Sequence, residues 1–257
     1  PASKARGIHT SAPAAAVGPS PFFRARVGAM PRTPGFATIV AVLAGLGVAY
    51  SSWRVVGFVG RLRDYRDTAR RGALTVPDGF VLAGATAERA MALQLYVIDD
   101  QMMGGHSQSA LNMTSDGIEF AGVISTKGGG FCSCRTLGNE EPLGIPATAE
   151  AIEVTAEGDG RQYKLTLSMS KDDLWTMSAP SWGHDFITEA GNVSTWRLPF
   201  SNFTASRLGQ MVADAAMDPT KVTGIGMALA KTGMDGHPNP HFGDGPFKIT
   251  IKGLRVV

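Results

Sequence analysis

Cysteine is scarce: Cys132 and Cys134 are the two in 257 residues, which excludes a disulfide-stapled secreted scaffold. Charged residues make up 18% of the chain against 44% hydrophobic, a balance that suits a globular protein and excludes a disordered one. Acidic residues are absent from the first 35 positions, and residues 1–71 hold eleven Lys/Arg against two acids. The remaining 186 residues therefore carry thirteen bases and twenty acids, a net −7. A body of that sign lacks the basic face that nucleic-acid binding requires. Also missing are the G-x-S-x-G, Walker A and H-E-x-x-H motifs and the dinucleotide fingerprint, so nothing announces a catalytic machine of those kinds.

The acid-free leader contains Lys4, Arg6, Arg24, Arg26 and Arg32 with six prolines. Its Arg, Ser and Ala content is that of an organelle import sequence, and its prolines favour an extended arm over a long helix. Phe36–Trp53 (FATIVAVLAGLGVAYSSW) has no charge over eighteen residues. As a helix it covers about 27 Å, enough to cross a bilayer core. Basic residues flank it, and Tyr50 and Trp53 stand where an interfacial aromatic belt would lie. Small residues recur every fourth position at Ala37, Ala41, Gly45 and Ala49, a stripe on one helical face that suits docking to another membrane helix. The segment from residue 54 to residue 73, with Arg61, Arg63, Asp64, Arg66, Asp67, Arg70 and Arg71, reads as a helical continuation into the headgroup zone. Pro77-Asp78-Gly79 marks a turn. The expected organisation is a basic arm (1–35), a transmembrane helix (36–59), a basic juxtamembrane segment (60–78) and a β-domain (79–257).

Beyond residue 90 the pattern changes to short β-type runs broken by Gly, Pro, Asn and Asp. Strands are expected at 94–98, 117–125, 131–136, 151–157, 162–169, 192–198, 222–230 and 247–251. Tyr163, Leu165, Leu167 and Met169 alternate with Lys164, Thr166 and Ser168, so one face is buried and the other wet. Gly158-Asp159-Gly160 reads as a tight hairpin connection. Strands at this spacing make a sandwich or jelly roll.

Successive motifs then resemble one family. Asp99-Asp100-Gln101-Met102-Met103-Gly104-Gly105-His106-Ser107-Gln108-Ser109, Phe120-Ala121-Gly122, and Gly129-Gly130-Phe131-Cys132-Ser133-Cys134-Arg135 come first. Gly158-Asp159-Gly160-Arg161 with Tyr163, Trp196-Arg197-Leu198-Pro199-Phe200 with Phe203, Gly224-Ile225-Gly226 and Gly245-Pro246-Phe247 follow in order. Residues 95 to 257 thereby resemble the complex I intermediate-associated protein family, thirty-kilodalton type. The resemblance implies a mainly β, galactose-binding-like jelly-roll sandwich, here preceded by the transmembrane helix. It further implies a non-catalytic accessory subunit or assembly factor of respiratory complex I, acting through protein contacts, with no cofactor, nucleic acid or small-molecule substrate. Membrane subunits of complex I or a respiratory supercomplex, and the bilayer, are the expected partners, at the mitochondrial inner membrane in a single pass. A plastid thylakoid relative and a carbohydrate-binding module are the alternatives. Cys132 and Cys134 depart from the family pattern, as does Ser178–His184.

The same residues have physical roles of their own. The paired glycines suit turns or close backbone approach, and Asp99, Asp100, Ser107 and Ser109 are placed to hydrogen-bond loop amides. Phe131, Ser133 and Arg135 share one face of their strand and the two cysteines the other. Arg135 is expected to reach a carboxylate such as Asp99 or Asp100. Cys132, Cys134, His237 and His241 are weak zinc candidates, since C-x-C on a strand is a poor chelate. Asp172-Asp173, Asp99-Asp100 and Asp244 are candidate calcium or carboxylate-pair positions. Trp175, Trp182 and Trp196 are candidate sugar-facing residues, against the commoner use of tryptophan in cores.

Overall fold

A computed structural model describes residues 64, 67–68, 72–76, 81–83, 93–136, 141–169, 179–207, 210–213 and 215–257. The span Phe36–Trp53 and its small-residue stripe lie outside the described residues. Among the described residues no helix is long and apolar enough to cross a membrane. Asp64, Asp67 and Thr68 are helical, with Gly72 N–H donating to the Thr68 carbonyl at 3.2 Å.

The chain forms β1 (Leu74–Thr75), β2 (Val81–Ala83), β3 (Gln94–Asp99), β4 (Gln108–Thr114), β5 (Gly117–Ile124), β6 (Phe131–Thr136) and β7 (Ala151–Glu157). It continues through β8 (Gln162–Ser168), β9 (Ser181–Ile187), β10 (Val193–Pro199), β11 (Thr204–Arg207), β12 (Gln210–Met211), β13 (Gly224–Ala230) and β14 (Gly245–Val256). Two sheets result, an eight-stranded one in the order β1-β3-β6-β13-β8-β9-β11-β12 and a six-stranded one in the order β10-β7-β14-β5-β4, with β2 parallel to β14. This is the expected mainly β sandwich. All eight expected strands are present. The sandwich begins ahead of the expected boundary at residue 79, because β1 pairs with β3 and Val76 is buried in the core.

The core forms where the period-2 faces meet. Cys134, Met227 and Leu165 stand opposite one another across β6, β13 and β8, and Leu167, Trp182 and Ala205 across β8, β9 and β11. Ile118, Phe120, Val154, Phe247, Ile249 and Ile251 answer them from the other sheet. The Phe120 and Phe247 rings pack edge to face at 5.1 Å. Fully burying such a side chain contributes about 1.5–3 kcal/mol.

The turn at Gly158-Asp159-Gly160 is not a hairpin. β7 lies in the six-stranded sheet and β8 in the eight-stranded one, so the turn carries the chain across the core. Alternation marks which face of each strand is buried, and that pattern is the same whether two strands pair or face each other. Of the stretch Ser178–His184, which departs from the family pattern, Ser181–His184 form the start of strand β9.

Candidate functional site

Most of the signature residues gather at one end of the sandwich, where four carboxylates, those of Asp99, Asp100, Asp159 and Asp244, tie the loops together. Asp99 ends β3 and Asp100 opens a 3-10 turn, Asp100–Met103. Asp100 is fully buried. It accepts from the Ser107 amide (2.9 Å) and hydroxyl (2.7 Å), and from the Gly130 (2.6 Å) and Phe131 (3.3 Å) amides. Its backbone carbonyl takes the Gly105 N–H at 3.0 Å. Gly104 adopts φ +92 with open space where a Cβ would sit, whereas a Cβ on Gly105 would fall 2.2 Å from the Asp100 carboxyl carbon.

Asp99 accepts from the Ser109 amide (2.7 Å) and hydroxyl (2.6 Å). Ser109 therefore aims its N–H away from β5, and Asp99 occupies part of the free edge of β4. Burial raises the Asp99 carboxyl above its ordinary value, against the lowering effect of the Ser109 hydrogen bonds. Asp99 stands opposite Cys132 in the β3–β6 register. Burial raises both thiols, Cys134 to about 12.

The second hub is Asp159. Its Oδ2 accepts from the Tyr163 hydroxyl (3.0 Å) in β8 and from the Lys248 amide (2.9 Å) in β14, and its Oδ1 from the Arg161 amide (3.1 Å). One carboxylate thus bridges the two sheets. Arg161 extends the tie, donating to the Gly243 carbonyl at 2.6 Å and the Pro246 carbonyl at 3.0 Å. The absence of a side chain on Gly158 is needed, since a Cβ there would meet Thr188 Cβ at 2.1 Å. Burial, then the Asp159 charge, pushes the Tyr163 phenol far above its usual range. The third hub is Asp244, which accepts the Thr126 amide at 2.8 Å.

Trp196, Pro199 and Phe200 act where β10 hands the chain to the larger sheet. Trp196 packs on Phe186 at 5.0 Å, and Pro199 ends the strand. The Phe200 N–H donates to the Glu150 carbonyl at 2.9 Å, and Phe200 and Phe203 are both buried. Trp182 is also buried, whereas Trp196 is half-buried and packs against the core. Trp175, Asp172 and Asp173 lie outside the described residues.

Arg135 does not reach Asp99 or Asp100. Register decides this: Asp99 stands opposite Cys132 on the core side, while Arg135 stands opposite Tyr96 on the outer side. Its Nε donates to the Ser133 hydroxyl at a long 3.4 Å. Nor are the zinc candidates brought together. Cys132 and Cys134 point into the core, and His237 and His241 lie exposed in a surface loop. Among the described residues no group of three or more His, Cys, Asp or Glu could hold a metal. What the histidine loop does hold is Asn239, a residue that sequence reasoning passed over. It is buried, donates to the Gln162 and Ala230 carbonyls, both at 3.1 Å, and accepts the His241 amide at 2.8 Å. Its one sequence signal is an Asn held between two prolines.

The chain is thus of the class of two-sheet, mainly β sandwiches whose loops are tied at one end. Residues 86–251 match the family Complex I intermediate-associated protein 30 (CIA30), and the chain belongs to that family. Among solved structures it is similar to the family 11 carbohydrate-binding module of the cellulosomal cellulase Lic26A-Cel5E of Clostridium thermocellum, at 12% identity over 72% of this chain and 96% of that one, TM-score 0.41. The Clostridium thermocellum family 11 module in complex with a β-1,3-1,4-mixed-linked tetrasaccharide gives 13% identity, 72% and 95% coverage, and TM-score 0.43. An exo-β-agarase gives 8%, 71% and 25%, and TM-score 0.38. Likeness at this level transfers neither ligand nor activity to this chain. No curated protein matches it.

Proposed function

We propose that this chain is a non-catalytic accessory subunit or assembly factor of respiratory complex I, anchored in the mitochondrial inner membrane by a single span at Phe36–Trp53 and acting by protein contact. Family membership over residues 86–251 is the observation that carries the reading. The uncharged run with basic flanks supports the anchor. The site geometry is in keeping with it: Asp99, Asp100, Asp159, Ser107, Ser109 and Tyr163 are all engaged in holding loops and strands. In this role Gly104, Gly105, Gly130, Gly158 and Gly160 shape the loops, and the stripe Ala37, Ala41, Gly45 and Ala49 docks against membrane subunits.

The test is native electrophoresis of detergent-solubilised organelle membranes, preceded by alkaline carbonate extraction. Co-migration with complex I or its assembly intermediates and resistance to carbonate are expected. Release by carbonate overturns the anchor, and migration with a photosynthetic complex or with none overturns the complex I assignment.

A further inference from the structure

The two sheets end in four edge strands, three of which are short or plugged. β1 and β12 offer two residues each, and on β4 the Asp99 carboxylate takes the outward Ser109 N–H at 2.7 Å. β10 is the fourth, seven residues long, and among the described residues it pairs with β7 alone. The phase of the hydrogen bonds decides which of its groups face outward. Ala151 and Val257 exchange bonds at 3.0 Å in both directions, so the odd-numbered residues of β7 turn toward β14 and the even-numbered ones toward β10. Their partners on β10 are Ser194, Trp196 and Leu198, and the Phe200 N–H continues the series to the Glu150 carbonyl at 2.9 Å. Val193, Thr195 and Arg197 therefore point their N–H and C=O groups away from the sheet. Pro199 shares that direction without an N–H and closes the edge.

The side chains beside this edge are laid out symmetrically. Val193, Thr195 and Arg197 are exposed on the outer face, next to Glu157, Thr155 and Glu153 of β7. Val193 is 54% exposed, an apolar side chain beside charged neighbours on a solvated sheet. The three outward positions are centred on Thr195. When β10 of a second copy runs antiparallel with Thr195 against its own equivalent, Val193 falls opposite Arg197 on both sides of the two-fold axis. Thr195 then exchanges a pair of backbone bonds with its equivalent, and each Val193 exchanges a pair with an Arg197. The outer row becomes Glu157 and Val193 followed by Arg197 and Glu153 of the second copy. The arginine stem covers the exposed valine, and its charge stands between two carboxylates. No like charges lie opposite one another, the condition under which cross-strand pairs stabilise. The threonine row, bonded from Thr155 to Thr195 at 2.9 Å, continues across the axis.

We infer that β10 is a self-association edge, through which two copies of this chain join their six-stranded sheets about a two-fold axis at Thr195. An open strand edge is a template for another strand unless the fold blocks it. Here the fold blocks or shortens the other edges and leaves this one. The occupant is a second copy because the edge complements itself in hydrogen-bond phase, in length and in charge. Such a contact is isologous, as in most two-fold dimers. It is also small, so association depends on protein concentration. The inference does not rest on the complex I reading, since it uses only the register and exposure of the strand.

The experiment uses the full chain in detergent, as wild type and as Thr195→Pro, Val193→Lys, Thr195→Cys and Ala110→Cys. Sedimentation over a range of protein concentrations reads the dimer dissociation constant, and thermal melting reads the fold. Thr195→Pro removes an N–H that β7 does not use, and Val193→Lys sets a lysine opposite Arg197 of the second copy. Each is expected to weaken dimerisation about tenfold or more while melting within roughly 4 °C of wild type. If Thr195→Pro does not fold, Val193→Lys carries the same test from an exposed position. Opposed Thr195 residues lie about 5.5 Å apart at Cα, within disulfide range, so Thr195→Cys is expected to form a covalent dimer on mild oxidation. Ala110→Cys, on the exposed β4 edge, is expected not to. The native thiols are buried and stay out of the reaction. A wild type that is monomeric at every concentration overturns the inference. Protection of its β10 amides from hydrogen exchange in the native complex alone then assigns the edge to a strand of another protein. A dimer that survives both Thr195→Pro and Val193→Lys forms elsewhere and also overturns it. So does cross-linking through Ala110→Cys in place of Thr195→Cys. Co-migration with complex I is read separately, so the assembly role and this contact fail or stand independently.

Discussion

Two adjacent glycines, Gly104 and Gly105, separate a backbone requirement from a packing one. Gly104 sits at φ +92 with nothing within 4 Å of a built Cβ. Alanine there meets only the left-handed conformation, about 1 kcal/mol, and asparagine, which tolerates that region, should melt close to wild type. At Gly105 a Cβ would stand 2.2 Å from both the Asp100 carboxyl carbon and its Oδ1. Asp100 has nowhere to move without giving up donors, since Ser107, Gly130 and Phe131 hold it within a site of zero exposure. Hydrogen bonds to a charged group contribute about 1.5–3 kcal/mol each. Loss of two of them, discounted for non-additivity, puts Gly105→Ala at about 3–5 kcal/mol. Denaturant unfolding of the full chain in detergent, monitored by tryptophan emission, measures both variants. Equal destabilisation of the two, or Gly105→Ala within about 1 kcal/mol of wild type, the usual range for a benign change, refutes the reasoning.

Asp159→Asn is expected to cost about 2–3 kcal/mol and Tyr163→Phe about 1 kcal/mol, because the first removes the bridge from Tyr163 to the Lys248 amide and the second one strand of it; denaturant midpoints check the ratio. Asp99 has a folded pKa raised by burial above the ordinary 3.8, so it gains a proton more readily folded than unfolded, and stability relative to Asp99→Asn should grow as pH falls from the raised value toward 3.8. Melting both proteins at successive pH values measures that difference, and a difference that shrinks on acidification contradicts it. Cys134→Ser places a hydroxyl among Leu95, Leu165, Ile225 and Leu254 and should cost about 1–3 kcal/mol. Both native thiols should resist iodoacetamide until the sandwich unfolds, which mass spectrometry across a denaturant series reads directly.

Strands that bury one whole face were legible from composition alone. β8 and β13 each place apolar side chains at every second position, and their bounds fell within two residues of expectation. β4 was not legible because it is an edge strand with little to bury, and its polar and exposed positions erase the alternation. β9 was hidden by Gly183, His184 and Asp185. Gly183 is required there because a Cβ would stand 2.5 Å from the Met234 sulfur, and Met234 comes from a loop some fifty positions away. The loop hydrogen bonds of Asp99 and Asp100 could be anticipated, since Ser107 and Ser109 are seven and ten positions distant. Asp159 reaching Lys248 and Asn239 reaching Gln162 span 89 and 77 positions. Contacts of that separation are set by which sheet each strand joins, and period-2 alternation carries no information about that.

Charges on the outer face of the six-stranded sheet and charges at the loop end serve the fold in different ways. On the six-stranded sheet Arg255 meets Glu153 at 2.9 Å, Arg197 meets Glu150 at 2.8 Å, and Thr155 and Thr195 share a hydrogen bond at 2.9 Å. Each of these exposed pairs contributes at most about 1 kcal/mol, so that face is a solvated surface whose charges answer one another. At the loop end the carboxylates of Asp100 and Asp159 instead accept from backbone amides and hydroxyls of several strands. The hubs and the surface pairs therefore stand in different relations to the fold. Removing Asp100 or Asp159 takes away bonds that hold loops and sheets together and should lower stability. Removing Arg255 or Arg197 breaks one exposed pair and should change the denaturant midpoint by no more than about 1 kcal/mol allows.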